Sequence, residues 1–219
     1  MDLEHPGNWG PQTVRSGSCN APRRTFMWQE TILNALLYSV PLLLAVVAHE
    51  VAHGLAAEKR GDPTARMQGR ITMNPLVHVD LVGTILLPGI LIATRSPFLF
   101  GWAKPVPVDL TNLKGGRRDM ALVSAAGPLS NLVLACLSAL TYRGVILAIN
   151  ALGSPPELLW VLEPLMIMAA FSATFNLTLM VINLLPIPPL DGGRILMGLL
   201  PPRLAVQLQK VEPYGVLIL

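Results

Sequence analysis

TILNALLYSVPLLLAVVAHEVAHGLAA, Thr31–Ala57, is 27 residues long and holds a single charge, Glu50. A helix crosses the hydrocarbon core of a bilayer in about 20 predominantly apolar residues, so this run is long enough to span. Near its C-terminal end stands His49-Glu50-Val51-Ala52-His53. On a helix the two histidines lie one turn apart on a shared face, so both imidazoles reach one metal ion. Glu50 projects from a neighbouring position, where it can take a proton from a metal-bound water. Each ionisable group at membrane depth costs about 2.5 to 3.5 kcal/mol, even on the lenient insertion scale. Three of them in five residues need a compensating partner, and a divalent metal supplies one.

The composition agrees with a membrane setting. Of the 219 residues, 52% are apolar and 13% charged, the latter about half the share of a soluble globular domain. This excludes a disordered chain and argues against a soluble enzyme. The net charge of +3 comes from Lys and Arg in short clusters between apolar runs, where they meet lipid headgroups and not nucleic acid. Cys19 and Cys136 form no CxxC and no metal-ligand spacing, which excludes a disulfide framework.

Three further apolar stretches follow. Met120–Tyr142 has 23 uncharged residues and Pro164–Leu190 has 27, and both read as spanning helices. Leu81–Thr94 has only 14, and Gly83 and Pro88-Gly89 break it. Between the first and third stretches runs a linker with two candidate strands, Arg66–Met73 and Lys104–Leu110. The prolines of the second suit only a sheet edge. The expected fold is therefore an all-α polytopic membrane protein, a bundle of three full spans plus a short re-entrant or interfacial segment, with small β elements in the linker. Residues 1–26 read as a disordered polar tail and 27–200 as the membrane-embedded core. Residues 201–219 form a C-terminal segment, where the chain either stops or starts a further helix.

A catalytic zinc site takes three protein ligands and keeps one position open. Candidates for the third are His78, Asp80, Asp109, Asp119, Glu163 and Asp191. Asp191 stands out in NLLPIPPLDGGR, Asn183–Arg194. There the prolines forbid a regular helix, and non-helical backbone at membrane depth needs protein or a water-filled cavity around it. A plainer role for Asp191 is to cap the helix that follows.

With these residues in view, the chain resembles the site-2 protease family of intramembrane zinc metalloproteases. The resemblance rests on HEVAH at His49–His53, GPLSN at Gly127–Asn131 and PPLDGG at Pro188–Gly193. MNPLVHVDLVGT at Met73–Thr84 and FGWAKPVPV at Phe100–Val108 look like its compact bacterial branch. It implies one Zn2+ per chain held by His49, His53 and Asp191, with Glu50 activating a zinc-bound water. It also places Asn131, and with it Asn176 and Asn183, near the site. His78 reads as an outer-shell or substrate-binding group or, more plainly, as part of an interfacial turn. The implied substrates are transmembrane or membrane-proximal segments of other proteins. Local unwinding would expose their peptide bonds, and an edge strand in the linker could hold them by β-augmentation.

One metal also constrains topology. His53 and Asp191 must reach the same membrane face, so an even number of crossings separates them, and Leu81–Thr94 is the stretch that does not cross. The linker Glu58–Asp119 holds nine Lys and Arg, against Arg143 alone between the third and fourth stretches. By the positive-inside rule the site then lies near the cytoplasmic face of the inner membrane. Two other functions compete: a membrane zinc sensor or transporter, and a catalytically silent scaffold. The first predicts further ligands along a path, yet the third and fourth stretches hold no His, Asp or Glu. The second would have lost Glu50 or a ligand. The sequence leaves substrate identity and oligomeric state open.

Overall fold

The computed structural model describes residues 23–94, 96, 101–153, 156–210 and 212. The chain divides into two units, Met1–Ala35 and Leu36–Leu219. Most of the polar tail, residues 1–22, lies outside the described residues, while Arg23–Phe26 already belong to a helix. Apart from the first part of the helix that begins at Arg23, everything that follows concerns the second unit.

Helix α1 covers Arg23–Lys59, and its stretch Leu37–Lys59 is long and apolar enough to span a membrane. Two more helices meet that test: α4, Arg117–Leu152, and α5, Pro156–Asn183. Between them and α1 lie α2 (Thr64–Met67), a 3-10 turn (Pro75–His78), a π-helical turn (Leu81–Leu86) and α3 (Leu87–Ala93). After α5 come α6, Asp191–Leu199, and α7, Pro202–Gln209.

The sides of α4 show how the bundle is oriented. Gly127, Asn131 and Ala135, four residues apart, are buried and face the bundle. Leu129, Val133, Leu137 and Leu140 are 54–69% exposed. Small and polar residues inside with leucines outside is the arrangement expected when lipid, and not water, surrounds the helices. α4 packs against α5 and α6. Ala57, Leu113, Met120, Val123, Met197 and Ala205 form an apolar cluster that joins α1, α4, α6 and α7.

Beyond the end of α1, Asp62 is fully buried. Its carboxylate accepts from Thr64 N (3.1 Å) and Oγ1 (2.5 Å), Asn112 Nδ2 (3.1 Å) and Asp109 N (2.7 Å). Burial alone would raise its pKa, but these donors outweigh it and hold the carboxyl below the ordinary aspartate value. Asp62 thus ties the segment after Trp102 to the end of α1.

The expected strands do not form among the described residues. Arg66–Met73 instead completes α2 and continues through turns and bends. Lys104–Leu110 has no ladder partner. Pro105 and Pro107 remove two backbone donors, and two of the remaining N–H groups are taken by side chains: Val106 N donates to Glu50 Oε2 at 2.9 Å and Asp109 N to Asp62. Leu81–Thr94 is helical over Leu81–Ala93, well short of the roughly 20 residues a span requires. Asp80 starts it by accepting from Val82 N (3.0 Å) and Gly83 N (2.7 Å). Trp102 N donates to Gly83 O and Lys104 N to His78 O, so this short apolar element is fastened to the 102–104 segment.

Candidate metal centre and active site

His49 and His53 project from one face of α1 toward the start of α6. Their Nε2 atoms are 3.1 Å apart and lie 3.0 and 3.3 Å from Asp191 Oδ2. Both Nδ1 atoms face acceptors, with Asn131 Oδ1 at 2.5 Å from His49 and Val123 O at 2.8 Å from His53. Each ring proton therefore sits on Nδ1, and each Nε2 carries a lone pair. With the ring protons on Nδ1, the two Nε2 atoms and Asp191 Oδ2 face one another as acceptors, and the buried Asp191 Oδ2 has no hydrogen-bond partner. Such a cluster repels itself unless a cation sits within it. Tetrahedral bonds of about 2.0–2.1 Å separate ligand atoms by about 3.3–3.4 Å. The observed spacings approach that edge, and two imidazoles with a carboxylate are a zinc donor set.

Local sequence makes the geometry. At Gly127 of α4, a Cβ would stand 2.4 Å from His53 Nε2 and 2.6 Å from His49 Nε2, inside the space between the ligands. A Cβ at Gly192 would stand 2.3 Å from the carbonyls of Leu184 and Leu185. Only glycine lets the first turn of α6 fold back on the proline loop and aim Asp191 at α1. The N-cap position of α6 is Leu190, and Asp191 is the first residue inside the helix, so Asp191 is not the cap residue. The other carboxylates near the site in sequence are engaged elsewhere. Asp80 starts the π-helical turn, Asp109 accepts from Thr111, and Asp119 accepts from Arg60 and Gly115 N.

A polar chain runs behind His49. Asn131, fully buried, donates from Nδ2 to Ala45 O (3.2 Å) and to Asn176 Oδ1 (2.8 Å). Asn176 donates to Ser172 O at 2.8 Å, and Ser172 and Ser138 share a hydrogen bond of 2.8 Å. Asn131 therefore reaches the site, and Asn176 touches it through Asn131. Asn183 lines the cavity but donates to Leu179 O in its own helix. His78 is buried outside the cavity lining, with Nε2 on Thr72 O at 3.0 Å.

A cavity of about 640 Å³ opens onto His49, Glu50, His53 and Asp191. Trp102, Val106 and Arg194 line it too, and sequence reading missed all three as site residues. Val106 acts through its backbone, which no side-chain pattern reveals. Ser172 and Asn176, one turn apart in an apolar helix, did carry a readable signal.

The chain is 39% identical over 189 residues to a Bacillus subtilis protein named as a zinc metalloprotease, YwhC, covering 82% of this chain and 76% of that one. The chain belongs to peptidase family M50. Residues 144–214, which include Asp191, match the family pattern described as Peptidase family M50. Two mycobacterial relatives are named as the zinc metalloprotease Rip2. The Mycolicibacterium smegmatis protein is 31% identical over 80% of this chain and 62% of its own length. The Mycobacterium tuberculosis protein is 35% identical over 68% and 52%, respectively. No solved structure matches the chain. M50 is the site-2 protease family that the motifs resemble. This M50 peptidase is a membrane-embedded zinc metalloprotease, with Zn2+ as its cofactor.

Proposed function

We propose that the protein is an intramembrane endopeptidase that hydrolyses peptide bonds in transmembrane or membrane-proximal segments of other proteins. His49, His53 and Asp191 hold the zinc and Glu50 is the general base. The observation that carries this reading is the meeting of one ligand atom each from His49, His53 and Asp191 with Glu50 in one cavity, the histidines and Glu50 standing on a helix long and apolar enough to span. Bound zinc supplies a Lewis acid that acidifies water and polarises the scissile carbonyl. The chain's own residues do the rest. Glu50, with Oε2 held by Val106 N–H, takes the proton of the attacking water and delivers it to the leaving amine. Asn131 and Val123 O fix the imidazole tautomers. The cavity walls receive an unwound stretch of substrate, because an intact helix keeps its peptide groups in its own hydrogen bonds.

In the bilayer, α1, α4 and α5 cross and the short element Leu81–Ala93 does not, which brings His53 and Asp191 to one face. The basic linker puts that face toward the cytoplasm of an inner membrane. Cysteines introduced singly at positions 68 and 110, labelled from either side of sealed vesicles, test this; opposite accessibility of the two positions overturns it.

Metal content and cleavage test the chemistry together. Purified wild type, Glu50→Gln and Asp191→Ala are assayed in detergent for zinc and for cutting of transmembrane peptides. Wild type is expected to cut, Glu50→Gln to keep zinc without cutting, and Asp191→Ala to lose zinc. Cutting by Glu50→Gln refutes the general base, and equal zinc in all three refutes the Asp191 ligand.

A further inference from the structure

We infer that Arg194, assisted by Arg117, forms a carboxylate-binding subsite that selects substrates with an acidic group near the scissile bond. The inference rests on reading the cavity as the proteolytic site. Arg194 follows Asp191 by three residues on α6, so the two share a helix face about 4.5 Å apart along the axis. Both line the cavity that holds Glu50. Arg117, in the first turn of α4, lines it as well, and among the described residues its guanidinium bonds only Leu200 O, at 3.0 Å. Glu50 and Asp191 are committed to the reaction centre. The remaining charged side chains of the lining are Arg117, Arg194 and Glu212, two cations against one anion.

Glu212 shows what the subsite accepts. Its Oε1 lies 3.4 Å from Arg194 Nη2, with the two side chains 31% and 47% exposed. A pair so long and so accessible is weak and readily exchanged. A carboxylate of the chain itself thus rests where a substrate carboxylate would gain a bidentate partner. An extended peptide advances about 3.3 Å per residue, which places the selected acid within about three residues of the cut. Aspartate or glutamate side chains and the substrate's own C-terminal carboxylate share this chemistry.

The test uses transmembrane peptides in detergent that differ only by Glu, Gln or Lys at each of the three positions on either side of the cut, with free or amidated C-termini. Binding is read on Glu50→Gln enzyme by fluorescence anisotropy, and kcat/KM on the active enzyme. At one position, Glu is expected to bind and react about tenfold better than Gln. Arg194→Gln should bring the ratio to about one, Arg194→Glu should favour Lys instead, and Glu212→Gln should raise it. A tenfold loss on amidation alone assigns the subsite to the C-terminal carboxylate. Equal handling of all peptides by the wild type, or a ratio that survives Arg194→Glu, overturns the inference. So does a preference abolished by anionic but not zwitterionic lipid, which would give the arginines to headgroups. Because anisotropy needs no cleavage, an enzyme that binds Glu peptides selectively but never cuts refutes the proteolytic reading and leaves the subsite standing.

Discussion

The Nδ1–H of His49 donates to Oδ1 of Asn131 at 2.5 Å, joining two fully or nearly buried residues on different spanning helices. The bond does two things at once. It keeps the ring proton away from Nε2, and it turns the Nε2 lone pair toward Asp191. Loss of such a partner commonly weakens metal affinity by roughly 10–100-fold. Asn131→Ala is therefore expected to raise the zinc Kd by that factor, measured by competition with a chelator. Asn176→Ala, one bond further out, should have a smaller effect in the same direction.

Gly127→Ala offers a sharper test of the metal site. In an exposed helix this change stabilises by up to about 1 kcal/mol. Here the new methyl carbon would occupy the gap between His49 and His53, 2.4 Å and 2.6 Å from their Nε2 atoms. Zinc content should fall to background while far-UV circular dichroism in detergent keeps its helical signal. Full zinc occupancy in this variant would mean that the ion sits elsewhere.

Much of this centre is legible in the sequence, and the reason is local. His49 and His53 are one turn apart on a single helix, so helical periodicity alone puts them together. Asp191 is reached differently, through a proline loop and two glycines whose purpose is visible only once Leu184 and Leu185 are seen against Gly192 and Pro188 against Gly193. The linker resisted reading because key backbone donors in it go to side chains. Lys104–Leu110 has the alternation of an edge strand, yet Glu50 and Asp62 take the donors that a ladder would have used. The family resemblance implies a place for Asn131 near the site, but its choice of partner depends on Ala45 and Asn176 in other helices.

Val106→Pro removes the N–H that holds Glu50 Oε2 and leaves the metal ligands untouched. A hydrogen bond to a charged group is worth about 1.5–3 kcal/mol, so kcat is expected to drop about 10–100-fold at unchanged zinc content. Val106→Ala, which keeps the N–H, should retain most of the rate. Equal losses in the two variants would assign the effect to side-chain packing on Gly54.

Asp62 links acid stability to the same segment. Its carboxyl is held below the usual value of 3.8, so its contribution is fully present above that pH and is lost as pH falls through its lower folded value. Asp62→Ala leaves Asp109 N, Thr64 N and Asn112 Nδ2 without their acceptor. A cost of about 1–3 kcal/mol follows at neutral pH, read as a lower Tm in detergent. The gap between wild type and variant should narrow below pH 3.8. A gap that is constant with pH would show that the carboxylate is not the source.

The division of the centre between α1 and α6 has a consequence for the cell that makes this protein. Two of the converging side chains leave the ribosome early, whereas the third follows more than a hundred residues later and must then fold back through a proline loop. Until it arrives, the nascent chain displays a histidine pair without its carboxylate. On the proposed intramembrane activity, the enzyme would thus pass through insertion unarmed and gain its edge only when the last segment docks.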